Sequence, residues 1–158
     1  MDLIVSVLLW FAAVSAGIMA GIYFTFSVFA MRAFAELGDE AGAQAMQSIN
    51  RVILQSAFLP LFLLSTLASV VLIILGLLGH LGPERAMVMG GGAIYAIGMF
   101  GVTASGNVPL NNRLDLADAK TPDGQAVWRD YLRRWTRLNH VRTVACAVSM
   151  VMFVMGLV

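Results

Sequence analysis

The sequence predicts an all-α integral membrane protein: a four-helix bundle with up-down topology and a cytoplasmic amphipathic helix that leads into the fourth span. Hydrophobic residues make up 59% of the 158 residues and charged residues only 12%, whereas soluble domains carry about 25% charged residues. Three uncharged runs are long enough to cross a bilayer, which takes about 20 apolar residues. A shorter fourth run closes the chain, so we predict one four-span domain over residues 1–158.

The first half of the chain predicts two spans joined on the cytoplasmic side. The first covers residues 3–31, which include no charged residue, and a break is expected at Gly38-Asp39. Residues 40–50 then predict a helical lead-in that is continuous with the second span, residues 52–78. Pro60 is expected to kink this helix near its cytoplasmic end, because proline removes a helical hydrogen bond.

The second half predicts two further spans, the last of them short. The third, residues 86–107, is expected to end before Pro109, because the residue preceding a proline disfavours helix. Residues 125–138 predict a charged amphipathic helix that runs into the fourth span, residues 139–158. The uncharged part of that span has only 15 residues, or about 22 Å of helix, against an apolar slab of about 30 Å. Residues 139–143 are therefore expected at membrane depth.

The distribution of Lys and Arg predicts the orientation. Nine of the ten lie in the loops after spans one and three or at the adjoining helix ends, and only Arg85 lies on the other side. The positive-inside rule then places both termini outside and these two loops in the cytoplasm of a bacterial-type inner membrane. A net charge of +1 gives no reason to expect a nucleic-acid partner. The expected partner is membrane lipid, and glycine-rich helix surfaces leave a homo-oligomer open.

Residues 128–143 concentrate polar and aromatic side chains directly before the last apolar run. Polar groups at membrane depth usually face the bundle interior and mark a function. A separate, basic face of the same helix consists of Arg129, Arg133 and Arg137 and is expected to contact anionic lipid or water. At about 100° per residue, the inward stripe is predicted to contain Trp128, Trp135, Asn139 and Arg142, flanked by Tyr131, His140 and Thr143.

These residues have structural alternatives. Interfacial Trp residues commonly anchor a helix in the membrane, and His140 suits a hydrogen-bonding role as well as a functional one. Arg142 is also suited to be a clamp, because a buried guanidinium needs acceptors; these would be helix-end carbonyls or Asn107. In an up-down bundle the cytoplasmic helix ends meet on one face. The other residues predicted at that face are Tyr23, Asn50, Asn107, Pro109 and Asn111.

Several site classes are excluded by the residues available. The chain has no Cys/His cluster with metal-ligand spacing, no Glu-x-x-His pair and no carboxylate within a span, so a ferritin-type di-iron site is excluded. Bis-His haem ligation within one subunit would need His80 and His140, which the predicted topology places on opposite sides. We therefore predict no metal and no cofactor. A glycine-rich phosphate loop is also absent from the sequence.

Four segments carry a resemblance to a known family. NVPLNNRL at residues 107–114 and WRDYLRRWTRLNHVRT at residues 128–143 are the most specific. GIYFTFSVFAMRAF at residues 21–34 and INRVIL at residues 49–54 extend the similarity to the first two helices. Together they resemble the anthrone-oxygenase-like small integral membrane proteins, and the resemblance covers most of the chain.

The resemblance implies a membrane four-helix bundle and, by similarity to the fungal members, a cofactor-independent monooxygenase that oxidises an aromatic substrate with O₂. A base removes an acidic C–H, and the resulting carbanion reacts with O₂. Histidine suits the base, an arginine and an amide suit the enolate oxygen, and aromatic rings suit a flat substrate. The implied catalytic residues are His140, Arg142 and Asn139, and the implied substrate-binding residues are Tyr23, Asn50, Asn107, Pro109, Asn111, Trp128, Tyr131, Trp135 and Thr143.

Two other functions remain open from the sequence. One is a non-catalytic membrane protein that binds a lipid or hydrophobic metabolite in the same pocket or serves as a partner subunit. The other is a haem or copper protein that uses His140, alone or across an oligomer. A visible spectrum, metal analysis and O₂ consumption with the anthrone dithranol distinguish the three.

Overall fold

The computed structural model describes residues 2–157; Met1 and Val158, the ends of the predicted domain, lie outside the described residues. The described chain is all-helical, and four of its helices are long and apolar enough to cross a membrane. The predicted all-α membrane bundle is confirmed, and the protein is an integral membrane protein. The five helices are α1 (Leu3–Glu36), α2 (Asp39–Ile53), α3 (Phe58–Leu77), α4 (Arg85–Asp115) and α5 (Pro122–Met155).

The four spanning helices form a ring in which α5 packs on α1 and α4, and α3 packs on the same two helices from the other side. Small residues bring the helices close together. A Cβ at Gly98 of α4 would lie 2.6 Å from the Cβ of Ala145 in α5. A Cβ at Gly17 of α1 would lie 2.9 Å from the Sδ of Met150. These contacts are the close helix approach that small residues permit in membrane proteins.

The lead-in helix is not continuous with the second span, so that prediction is wrong. Residues 54–57 are non-helical and separate α2 from α3. The Ser56 hydroxyl donates to the carbonyl of Ile53 at 2.8 Å and accepts from the N–H of Phe58 at 3.2 Å. Ser56 thus bonds to the last residue of α2 and to the first residue of α3. Pro60 lies in the first turn of α3, where its missing N–H needs no helical partner, and the kink predicted near the cytoplasmic end of the second span is replaced by a helix start.

Helix α4 continues to Asp115, so the predicted end at Asn107 is also wrong. Two π-helical segments, Ala96–Gly101 and Thr103–Asn107, precede the proline. Pro109 then lies in the first turn of the α-helical segment that follows. In membrane helices, local π-helical turns can satisfy a carbonyl that a proline leaves without a hydrogen bond. The helix therefore passes Pro109 and carries the residues after it into the bundle.

Helix α1 also extends past its predicted end, to Glu36, and has a π-helical segment at Phe26–Ala30. The break predicted at Gly38-Asp39 is confirmed. Gly38 has φ 89°, a left-handed conformation that glycine adopts without steric penalty. Helix α5 runs unbroken for 34 residues, and its first turn is capped by the Thr121 hydroxyl, which accepts from the N–H of Gly124 at 3.1 Å. The charged helix and the fourth span are one element, as predicted.

Two hydrophobic cores fill the bundle. The membrane core joins the four spans around residues such as Leu9, Leu72, Tyr95 and Phe153. A second core, which we call the end core, lies where α2 crosses the end of the bundle that carries most of the arginines. Helices α1, α4 and α5 contribute residues to both cores, whereas α3 contributes only to the membrane core. The end core consists of Met31, Ala43, Met46, Leu110, Leu114, Ala119, Trp128, Tyr131 and Trp135.

Candidate functional site

A cavity of about 170 Å³ lies between the two cores, and all five helices contribute to its lining. Its walls are mainly apolar and aromatic, with a small number of polar groups, which is the usual composition of a small-molecule site. The lining residues are Ile22, Tyr23, Phe26, Met46, Ile49, Asn50, Ile53, Leu54, Phe58, Leu59, Phe62, Thr103, Val108, Asn111, Trp135 and Arg142.

Arg142 is the charged residue of this cavity, and only 4% of its surface is exposed. Its Nη2 donates to Asn139 Oδ1 at 2.7 Å, and its Nη1 donates to Thr103 Oγ1 at 3.3 Å. The guanidinium carbon lies 4.2 Å from the ring centre of Tyr23 and 4.9 Å from that of Trp135. Aromatic faces attract a cation at these distances.

No counter-ion accompanies this buried charge. Among residues 2–157, no ion pair involves Arg142. The lining of the cavity includes no Asp or Glu, and Arg142 Nε is buried without a hydrogen-bond partner. A buried cation without a nearby anion is strongly unfavourable, so Arg142 would stabilise an anion bound in this cavity. The predicted acceptor Asn107 is not among the partners of Arg142.

Asn139 lies behind the cavity rather than in its wall. Its Nδ2 donates to the carbonyl of Tyr23 and to the hydroxyl of Ser27, both at 2.7 Å, and its Oδ1 accepts from Arg142. The Tyr23 carbonyl precedes the π-helical segment of α1, where the regular hydrogen-bond ladder is interrupted. Asn139 therefore joins α1 to α5 and holds Arg142 in place.

Asn111 lines the cavity, and the orientation of its amide is determined by two neighbours. Its Oδ1 accepts from Tyr131 Oη and from Trp135 Nε1, each at 2.9 Å. An indole N–H is only a donor, so the amide oxygen must face Trp135. The NH₂ group of Asn111 is consequently available to donate a hydrogen bond to a ligand.

Asn50 lies on α2 and presents a second amide to the same cavity. Its Nδ2 is buried and has no hydrogen-bond partner among the described residues. Buried polar groups are nearly always paired. An unpartnered donor in a cavity wall therefore indicates a position for an acceptor atom of a ligand.

Trp128, Tyr131 and Trp135 stack on one another instead of lining the cavity together. Successive ring centres are 5.8 Å apart, with interplanar angles of 20° and 23°. Trp128 and Tyr131 are almost completely buried in the end core, and Trp128 packs against Gly42 of α2. Of the three rings, only Trp135 reaches the cavity. Trp128 and Tyr131, which were predicted to contact a substrate, therefore pack in the end core and do not line this cavity.

Three further predicted residues do not line the cavity. Asn107 is fully buried and its Nδ2 donates to the carbonyl of Trp135 at 3.3 Å. Pro109 is exposed on α4. Thr143 donates to the carbonyl of Asn139 at 2.9 Å and lies 3.1 Å from the hydroxyl of Ser27. Asn107 and Thr143 thus make contacts between the helices that form the site, and Pro109 lies on the outside of the bundle.

A family model described as anthrone oxygenase matches residues 46–152, which is more than half of the chain. The chain belongs to the anthrone oxygenase family. The matched region includes the cavity residues of α2, α4 and α5, among them Asn50, Asn111 and Arg142, whereas Tyr23 precedes it. No curated protein and no solved structure matches the chain.

His140, implied as the base by resemblance to the anthrone oxygenase family, does not line this cavity. It is exposed on the outer surface of α5, where it borders two shallower depressions. One residue along a helix turns the side chain by about 100°, so His140 points away from the side on which Asn139 and Arg142 face inward. His140, which was expected to share one pocket with Asn139 and Arg142, therefore does not line the cavity that Arg142 lines.

Several lining residues were not predicted. Thr103, which accepts from Arg142, is a hydroxyl within an apolar span, and that polarity is a signal that sequence reasoning overlooked. Phe26, Phe58 and Phe62 form aromatic walls but resemble any other core or lipid-facing residue in the sequence. No group of three or more His, Cys, Asp or Glu residues that could hold a metal ion occurs among residues 2–157.

Proposed function

We propose that this member of the anthrone oxygenase family oxidises an anthrone-type aromatic substrate with O₂ in the cavity around Arg142. The observation that supports this most directly is the buried guanidinium without a counter-ion. Leaving such a charge unpaired costs several kcal/mol. A substrate that becomes an anion supplies the missing charge, and it does so most strongly in the ionised state.

The polar groups of the cavity suit an oxyanion. Arg142 Nε and Asn50 Nδ2 are buried donors without partners, and the Asn111 amide also directs its donors away from Trp135. Fixed donors aimed at a developing negative charge stabilise it without reorganisation. The surrounding apolar and aromatic walls strengthen that interaction by excluding water.

The proposed reaction needs no electron source besides the substrate. Loss of a proton from the C–H between the aryl rings gives an enolate, whose oxygen is held by Arg142. The enolate carbon is oxidised by O₂, a C–O bond forms, and the peroxide anion takes up a proton. Loss of water from the hydroperoxide then gives a second carbonyl. One oxygen atom of O₂ enters the product and the other leaves as water.

The size of the cavity limits how much of the substrate it encloses. Its volume of about 170 Å³ is close to the ~150 Å³ that accommodates benzene in an apolar cavity. It therefore holds about one ring. A tricyclic substrate is larger than this enclosed volume, so part of it would extend beyond the cavity.

The test compares Arg142 with an exposed arginine of the same helix. Wild-type protein in detergent is given dithranol, and O₂ uptake and anthraquinone absorbance are followed. Arg142→Leu is expected to lower the rate by about 10²–10³-fold, the usual effect of removing one oxyanion donor. Arg134→Gln, at an exposed position of α5, should leave it unchanged. Wild-type rates in a folded Arg142→Leu variant, or no O₂ uptake by the wild type, would contradict the proposal.

Ligand binding without turnover is the second function that the cavity favours. Its lining includes no His, Asp, Glu or Lys, so no ordinary base is placed to remove the C–H proton. In the oxidation proposal that proton passes to solvent, and the guanidinium contributes by stabilising the enolate. The protein would be identified as a binding protein by two results together. Dithranol would bind the wild type and bind Arg142→Leu more weakly, and neither protein would consume O₂.

A further inference from the structure

We propose that the outer surface of α5 binds one anionic phospholipid, with the phosphate in a cleft between α1 and α5 and an acyl chain in a groove between α4 and α5. This site is separate from the cavity around Arg142 and does not depend on the proposed oxidation. His140 lies at the junction, because it borders both the cleft and the groove.

The cleft has a volume of about 300 Å³ and brings together cations from two helices. Arg32 comes from α1, and Arg133 and Arg137 come from α5. The lining includes no Asp or Glu. Three like charges around one depression repel one another, and a bound anion removes that repulsion. Arginine also offers the planar pair of donors that matches a phosphate.

The charges of the cleft are not neutralised within the protein. Among residues 2–157, no ion pair involves Arg32 or Arg137, and Arg133 has only a 3.6 Å contact with Asp130. Arg129, on the same exposed helix face, is instead paired with Asp39 of α2 at 3.2 Å. The basic face of α5, which was expected to contact lipid as a whole, is thus divided. Arg129 is paired, whereas Arg133 and Arg137, which lie nearer the membrane, remain available to bind an anion.

A buried hydroxyl adds a second signal in the cleft. Thr136 lines it between the two arginines of α5, and its Oγ1 is buried without a hydrogen-bond partner. Hydroxyls in helices commonly bond to a carbonyl one turn earlier, so the absence of that bond leaves a free donor. A phosphate oxygen is an acceptor of the kind that this donor requires.

The groove explains why we assign a lipid rather than a soluble phosphate. Its walls are apolar except for His140, and its volume is about 750 Å³. Arg133, Arg137, His140, Val144 and Val148 follow one exposed face of α5 at intervals of four, three, four and four residues. The surface of α5 therefore changes from cationic to apolar at His140. From Arg137 to Val148 the helix rises about 16 Å, enough to follow a headgroup and much of an acyl chain.

The experiment measures lipid retention by the full-length protein in detergent, using native mass spectrometry. Phosphatidylglycerol is titrated against phosphatidylcholine of the same chain length. The cleft variant is R32Q/R133Q/R137Q, and the matched control is R51Q/R113Q/R134Q, which removes three exposed arginines from the same end of the bundle. We expect the cleft variant to bind phosphatidylglycerol about tenfold more weakly than the control does, which corresponds to about 1.4 kcal/mol.

Three results would overturn the proposal. Equal losses in the two variants would indicate a general charge effect, and equal binding of phosphatidylcholine by the wild type would remove the requirement for an anion. Binding of glycerol phosphate as tight as that of phosphatidylglycerol would show that the groove contributes nothing. If the triple variant does not fold, Arg137→Gln against Arg134→Gln gives the same comparison with a smaller expected difference.

Discussion

The side chain of Asn139 holds the guanidinium of Arg142 through a 2.7 Å hydrogen bond from Nη2 to Oδ1. The same amide donates to the Tyr23 carbonyl and the Ser27 hydroxyl of α1. One side chain therefore connects the position of the cavity's charge to the packing of α1 on α5. A buried guanidinium needs hydrogen-bond acceptors. The bond to Asn139 supplies one and keeps Arg142 directed at the cavity.

Asn139→Ala should destabilise the protein and disorder the site together. It removes one of the two acceptors of Arg142 and leaves the Tyr23 carbonyl without its side-chain donor, so we expect the free energy of unfolding to fall by about 1–3 kcal/mol. The measurement is the melting temperature in detergent from tryptophan fluorescence. Asn112→Ala, an exposed amide on α4, is the control. An unchanged melting temperature in Asn139→Ala would show that the interhelical bonds are not stabilising.

Asn111 has a structural role and a ligand role that two substitutions separate. Asn111→Asp keeps an acceptor for Tyr131 and Trp135 but replaces the free NH₂ with negative charge, so it should fold and bind dithranol at least about tenfold more weakly. Asn111→Leu leaves the Tyr131 hydroxyl and the Trp135 N–H without their acceptor, so it should lower the melting temperature. Binding is measured by fluorescence titration. Wild-type affinity in Asn111→Asp would place the substrate oxygen elsewhere.

His140→Ala should retain the wild-type rate of O₂ uptake with dithranol, because the imidazole lies on the outer surface of α5. This expectation is opposite to the one that the family resemblance implies for the same substitution. The assay is that used for Arg142→Leu. A large loss of activity in a folded His140→Ala variant would require the reaction to occur outside the cavity, and it would contradict the assignment made here.

Filling the cavity should block the substrate without affecting the rest of the bundle. Ile53 lines the cavity, whereas its neighbour Val52 is 63% exposed. Ile53→Trp is expected to weaken dithranol binding strongly, at a stability cost of about 1–3 kcal/mol for the added bulk. Val52→Trp adds a similar bulk on the outside and should bind normally. Equal affinities in the two variants would exclude this cavity as the binding site.

The packing of α2 against α5 should depend on Gly42. A Cβ at Gly42 would overlap the carbonyl oxygen of Phe34 and lie 2.9 Å from Trp128 Cζ2. Gly42→Ala should therefore lower the melting temperature, and because α2 carries Asn50, it should also weaken ligand binding. Gly21→Ala is the control, since its Cβ would meet nothing within 4 Å. A melting temperature equal to that of the control would contradict the close packing.

Much of the site's composition was predictable because α5 is one long helix. Over an unbroken helix, side-chain directions follow from the sequence interval alone. The inward stripe through Trp128, Trp135, Asn139 and Arg142 is buried as expected. Among these residues, however, the same periodicity cannot distinguish a side chain that lines a cavity from one that packs behind it. That distinction depends on what the other helices place opposite.

The sequence by itself determined the membrane bundle, its four apolar helices, the break at Gly38 and the identity of Arg142 as a buried polar centre. These follow from composition and local periodicity, which need no knowledge of neighbouring chain segments. Only the tertiary structure decided that Asn50, Thr103 and Asn111 line the same cavity as Arg142 and that His140 does not. Interruptions of the regular helix, at the α2–α3 linker and in the π-helical turns, set the angular position of the residues that follow them. The cavity is formed where those shifted helices face one another, so its shape is a property of the packing and not of any single segment.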